Sequence, residues 1–187
     1  MLSSPVWRGT PVLAFCAGLV CGGALTATVL LVGGSLLRAP LPGFVRWAVV
    51  AAALGAVLLR ETGVWSFRLP ENRRLVPDTV FRLGRHLGPL QFGFEMGTGA
   101  RTYLPSGLPY VAAVAVALTA SVPAALCAGA GFGLGRALMT TANLRYDGES
   151  GWDGEWRAHG RELRFLTGAA FVVPLAAVAV TVSSGTP

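Results

Sequence analysis

From Pro11 to Leu37 the chain carries no charged residue, and its polar positions follow no amphipathic period. A helix that is apolar all round is buried in a large core or spans a membrane. A spanning helix needs about 20 mostly apolar residues, because the hydrocarbon core is about 30 Å thick and a helix rises about 1.5 Å per residue. The stretch therefore predicts a first transmembrane helix over 11–37, with Pro11 in the first turn, where its missing N–H costs nothing. A second apolar run predicts a helix over 43–60, with Arg46 and Arg60 near its ends, able to reach the interface. A third apolar region extends from Leu108 to Leu138. As one helix it would be about 46 Å long, too much for a single crossing. Ser121-Val122-Pro123 offers the break, since Pro123 can neither donate to the ladder nor fit against the preceding turn. Two helices follow, over 106–120 and 122–139. A last apolar run predicts a helix over 165–182, kinked at Pro174.

Between these runs lie two polar loops, 61–91 and 143–164. The first is rich in arginine, and its stretch from Pro77 to Leu87 could start a short amphipathic helix at the interface. The fold class predicted is an all-α, polytopic integral membrane helical bundle of about five transmembrane helices, in a single membrane domain. It has a broken or re-entrant segment, rich in Gly and Pro, before helix three.

Composition agrees with this reading. Hydrophobic residues make up 53% of the 187 positions, mean hydropathy is +0.59, and only 13% of residues are charged. Water-facing helix faces are mostly missing, which argues against a soluble enzyme, a disordered chain or a disulfide-rich secreted module. All fifteen basic residues are Arg. With abundant Ala, Gly and Val, that points to a GC-rich bacterial genome and to the bacterial cell membrane. The net charge of +6 has its simplest cause in arginine of the cytoplasmic loops and anionic membrane lipids, so no nucleic acid is expected as a partner. With five crossings and a cytoplasmic N-terminus, Arg8 and both arginine-rich loops lie inside. Only Arg38 and Arg46 lie outside, and the C-terminus is external. A four-crossing arrangement would put the later loop outside, against the positive-inside rule.

Lipid tails give little hydrophobic drive between helices, so close packing of small residues must hold the bundle together. Gly18 with Gly22, Gly129 with Gly133, and Gly131 with Gly135 each sit four apart, on one helix face. All six are expected to pack against neighbouring helices.

The most unusual segment is Phe92 to Tyr110, FGFEMGTGARTYLPSGLPY. It places Glu95 and Arg101 among membrane-compatible residues, together with Gly97, Thr98, Gly99, Tyr103, Pro105, Ser106 and Pro109. Ser106 reads as an N-cap, with Pro109 tolerated in the first turn. Non-helical backbone at membrane depth occurs where it is buried in protein or faces water. Half-helix ends there often meet an ion or substrate, and a charge at that depth invites a functional reading. Glu95 and Arg101 are six apart, so an unbroken helix would not bring them face to face, whereas a Gly-rich loop could. The other reading places both charges at the cytoplasmic interface.

Residues 92–140, with the glycines and prolines of this segment followed by a short helix, resemble a half-repeat of the CcdA/DsbD-type cytochrome c biogenesis membrane domain. That resemblance implies broken helices. Those proteins carry electrons through paired cysteines beside prolines, and here Pro105 and Pro109 have no neighbouring cysteine, so no catalytic residue is carried across. Cys16, Cys21 and Cys127 read as small hydrophobes. His86 and His159 have no metal-binding spacing with any cysteine. The carboxylates of the loop 147–156 lack EF-hand spacing. No catalytic motif and no cofactor motif is present, so neither cofactor nor metal is expected.

Two functions follow. One is a small non-catalytic accessory or assembly subunit of a larger membrane complex, partnered by other membrane protein subunits. The other is an oligomeric membrane carrier for a small solute, an ion or reducing equivalents, using the element from Glu95 to Tyr110.

Overall fold

A computed structural model of the chain describes residues 9–67, 82–100, 106–143 and 159–184. The regular elements among the described residues are all helices, with no strand. In chain order the helices are α1 (Thr10–Arg38), α2 (Gly43–Glu61), α3 (Leu87–Gly97), α4 (Leu108–Thr119), α5 (Val122–Asn143) and α6 (Gly160–Ser184). Among the described residues, three apolar stretches are long enough to cross a membrane: Thr10–Arg38, Gly43–Glu61 and Val122–Thr141. The chain thus has the build of a membrane protein. It divides into two compact units, 1–142 and 143–187. In the second unit, α6 carries Pro174 inside it and Glu162 in its first turn, and its apolar stretch is Leu166–Ala177.

In the first unit α1 is the axis. Its buried residues form two stripes: Pro11, Phe15, Gly18 and Gly22, and beside them Leu19, Gly23, Ala27, Leu31 and Gly34. The spacing of three and four within each stripe is that of one helix face. The first stripe, with Leu19 and Thr26 beside it, receives α3. Thr10 meets His86, Phe15 lies against Gly93, Leu19 against Gly97, and Thr26 reaches Thr98. Farther along, Gly34 lies against Ala117 of α4 and Arg38 reaches Ala120. The partners rise in step along both chains. Hence α3 and α4 both run parallel to α1, α3 beside its first half and α4 beside its second.

The other two helices run the opposite way. On α5, Gly129 meets Gly23 while Gly133 meets Leu19 and Val20. The turn at Leu41 brings α2 back from the end of α1, and Glu61 at the far end of α2 meets Gly107, just before α4.

Two small cores follow from this arrangement. Phe15, Leu19 and Ala137 are buried together, with Phe92 and Met96 of α3 packed on them, and the Phe15 and Phe92 rings stack at 5.8 Å. Ala27, Leu31, Val116 and Ala125 form the second, at the level of α4.

The helix expected over 106–120 is α4, Leu108–Thr119. The broken or re-entrant segment expected before it contains the end of another helix, and α3 and α4, of 11 and 12 residues, lie end to end beside α1. They are only about 16 and 18 Å long, so neither crosses a bilayer alone. The helix α3 also begins at Leu87, inside the stretch 61–91 expected as loop. Gly88, Gly93 and Gly97 lower its intrinsic propensity, but Gly93 and Gly97 allow backbone contact with α1 that stabilises it. The expected division at Pro123 coincides with the gap between Thr119 and Val122, and Pro123 sits in the first turn of α5. Of the amphipathic stretch expected from Pro77, residues 77–81 lie outside the described residues; Arg82 and Leu83 form a short turn.

The glycine faces separate into two kinds. Gly18 and Gly22 meet the backbone of α3, and Gly129 and Gly133 meet that of α1. At Gly131 and Gly135 an added Cβ meets nothing within 4 Å among the described residues. They sit on the other side of α5 from Gly129 and Gly133, because two residues turn a helix by about 200°.

Candidate functional site: the break between α3 and α4

Helix α3 stops firmly before α4 begins. Thr98 caps it, its amide donating to the Phe94 carbonyl at 3.1 Å. Gly99 follows at φ +72°, with its amide donating to the Met96 carbonyl at 3.2 Å. A left-handed residue just past a helix end is the usual place for glycine, which has no Cβ to clash there. The Thr98 hydroxyl donates to the Glu95 carbonyl at 2.7 Å, and the Ala100 amide donates back to that hydroxyl at 3.4 Å.

Both broken ends receive partners from the protein. The carbonyl of Thr98 accepts the hydroxyl of Thr26 on α1, at 3.2 Å. At the start of α4 the amide of Gly107 donates to the Glu61 carboxylate at 2.8 Å, and the amide of Leu108 donates to the Ser106 hydroxyl at 3.2 Å. A carboxylate at a helix N-terminus also opposes the positive end of the helix dipole. Ser106 thus serves the helix start as its residue type suggested, one position before the formal cap, Gly107.

Between the two ends, α1 and α5 is a cavity of about 270 Å³. Thr26 and Leu30 of α1, Thr98 and Gly99 of the break, Tyr110 of α4 and Phe132 of α5 are among its walls. The remaining lining is glycine, alanine, proline and valine, and no charged side chain lines it among the described residues.

The sequence-derived site residues distribute as follows. Thr98, Gly99 and Pro109 line the cavity. Gly97 packs its backbone on Leu19 of α1. Glu95 is half-buried on α3, accepts a hydrogen bond from the Gln91 side-chain amide at 3.3 Å, and does not line the cavity. Arg101, Tyr103 and Pro105 lie outside the described residues. The cysteines are free thiols, Cys16 half-buried and Cys21 and Cys127 exposed.

Four other residues carry the geometry. Arg136 is half-buried on α5, one residue from the buried Ala137, with its guanidinium 5.8 Å from the centre of the Phe132 ring. Its signal was present in the sequence, as a charge inside an apolar helix. Thr26, Phe132 and Glu61 had none, since their importance depends on neighbours distant in the chain.

No family model matches the chain, and no curated protein or solved structure matches it.

Proposed function

We propose that the chain is a small, non-catalytic, multi-span membrane protein that binds a small solute at the break of its third crossing, as a carrier does. One observation supports this above others: two half-length helices lie end to end and parallel along α1, with a cavity where they part. Discontinuous helices of this kind place binding sites near the bilayer midplane in membrane carriers. The finer topology in this proposal has five crossings: α1, α2, the pair α3–α4, α5 and α6. The positive-inside rule then puts the N-terminus and both arginine-rich loops in the cytoplasm of a bacterial cell, with the C-terminus outside. Such a carrier would work as an oligomer, because alternating access needs two bodies that move against each other.

A second reading, an accessory subunit of a larger membrane complex, is favoured by a different observation. Gly131 and Gly135 face open space, and on α2 only Val50 and Val57 are buried. Both faces could receive other membrane helices.

Purification in mild detergent from native membranes, with mass spectrometry of proteins and released small molecules, separates the two. The carrier reading expects a small molecule near one per chain and no larger protein at fixed ratio. A larger protein in fixed ratio, with no small molecule released, would replace it with the accessory reading.

A further inference from the structure

We propose that a groove between α1 and α3 binds one anionic phospholipid, with an acyl chain in the groove and the headgroup phosphate on Arg82 and Arg85. Among the described residues the groove and the cavity at the break have no lining residue in common. The lipid site therefore does not depend on what the break holds.

The groove has a volume of about 440 Å³ and a wall suited to hydrocarbon. Gly18 and Cys21 form its α1 side, and Leu87, Leu90 and Phe94 its α3 side. Leu83, from the short turn before α3, extends that wall. Gln91 also lines it, with its side-chain amide donating to Glu95 at 3.3 Å. Gly18 brings α1 against the Leu90 carbonyl, while the side chains of Leu83, Leu87 and Leu90 stay exposed.

The length of the groove matches one leaflet. Thr10 meets His86, so the start of α1 and the start of α3 lie at the same end. Cys21 lies about 16 Å along α1 from Thr10, and half the hydrocarbon core is about 15 Å. A chain laid along α3 from Leu83 toward Cys21 thus runs from the interface to near the midplane.

The headgroup chemistry comes from the turn that leads into α3. Arg82 and Arg85 flank Leu83 and Gly84 in the chain, and both are exposed. Gly84, at φ +92°, turns the backbone between them. Guanidinium groups hold phosphate through paired hydrogen bonds, and arginines at a membrane surface favour anionic over zwitterionic lipid. An apolar wall one leaflet long, with cations at its interfacial end, has the charge pattern that complements a phospholipid. In the topology proposed above this is the cytoplasmic leaflet.

Native mass spectrometry of the delipidated full chain in mild detergent tests the site, with dioleoyl phosphatidylglycerol and dioleoyl phosphatidylcholine at equal concentration. The chain should retain one phosphatidylglycerol, about tenfold above phosphatidylcholine. Arg82→Gln with Arg85→Gln should remove that preference. Arg46→Gln with Arg60→Gln, the same loss of charge elsewhere, should keep it. Cys21→Trp and Leu90→Trp fill the groove from opposite helices. Each should lose most of the bound lipid, and the pair guards against one variant failing to fold. Equal retention of both lipids, or of neither, would overturn the proposal. So would a preference that survives Arg82→Gln with Arg85→Gln, or one lost equally in the control pair, which would mean diffuse attraction to net charge. Lipid retained undiminished in both folded Trp variants would place it elsewhere and overturn the site. Loss of a dimer rather than of lipid in those variants would make the groove a contact between two copies, and would overturn it as well.

Discussion

The guanidinium of Arg38 donates to the backbone carbonyl of Ala120 at 2.8 Å, joining the last turn of α1 to the chain just past α4. The two residues are 82 positions apart. Together with the contact of Gly34 and Ala117, their contact shows that α4 runs alongside α1 in the same direction. It also places a cation on a carbonyl left open at a helix C-terminus, where both the hydrogen bond and the helix dipole favour it. Arg38→Ala should lower stability by about 1–3 kcal/mol, the range for a charged hydrogen bond. Arg38→Lys should recover part of it. Unfolding midpoints in mild detergent would measure both, and an unchanged Arg38→Ala midpoint would show that the contact adds nothing.

The Gly22–Gly97 region packs backbone on backbone. A Cβ at Gly22 would lie 2.9 Å from the Thr98 amide nitrogen, and one at Gly97 would lie 2.8 Å from the Leu19 Cα. Neither neighbour is a flexible side chain that can move aside. Gly22→Ala and Gly97→Ala should each destabilise by about 1–3 kcal/mol through overpacking. Gly33→Ala on the same α1 meets nothing within 4 Å and should be neutral or stabilising by up to about 1 kcal/mol, the propensity difference. Equal effects at Gly22 and Gly33 would contradict the α1–α3 packing described here.

Glu61 receives the Gly107 amide and so holds the start of α4 to the end of α2. Glu61→Ala should cost about 0.5–2 kcal/mol, as loss of a cap does. Glu61→Gln should cost less, because the amide oxygen can still accept while the charge on the helix dipole is lost. The ordering Ala worse than Gln can be read from denaturant midpoints; the reverse ordering would argue that burial of the charge, rather than the cap, dominates.

Gly99 stands at φ +72°, and the nearest atoms an added Cβ would meet, on the Phe132 ring, are at 3.6 Å. Space is therefore adequate and backbone conformation is the constraint. Gly99→Ala should cost about 1–2 kcal/mol from the left-handed conformation alone. Gly99→Asn should cost less, since Asn tolerates that region. Thermal midpoints of the two variants would decide, and a harmless Gly99→Ala would mean that the turn re-forms with another geometry.

Gly131 and Gly135 supply the test of the accessory reading. Gly131→Leu and Gly135→Leu should leave the isolated chain folded, since a side chain there meets nothing within 4 Å. Loss of a co-purifying protein in these variants, with the unfolding midpoint unchanged, would identify the face as an intermolecular contact. Retention would remove that face from consideration.

Much of the architecture was legible in the pattern of residues. The uncharged run after Pro11, the apolar run ending at Arg60 and the division at Pro123 correspond to α1, α2 and the start of α5, because helix length against bilayer thickness and the missing N–H of proline act locally. The stop of α3 at Thr98 and Gly99 agrees with the glycine content of that stretch. The helix from Leu87 to Gly97 was not legible: its glycines weaken it in isolation, and it forms because α1 presents Gly18 and Gly22 to it. For the same reason Gly129 and Gly131, alike in sequence, differ in space, one against Gly23 and the other open. Arg38 gained its place at the end of α4, and Glu61, Thr26 and Phe132 theirs at the break, only through neighbours 46 to 82 residues away or on another helix. Local propensity and hydropathy determine where α1, α2 and α5 start. Which glycine faces meet, and which polar groups close the broken ends, depends on long-range contacts that no local window contains.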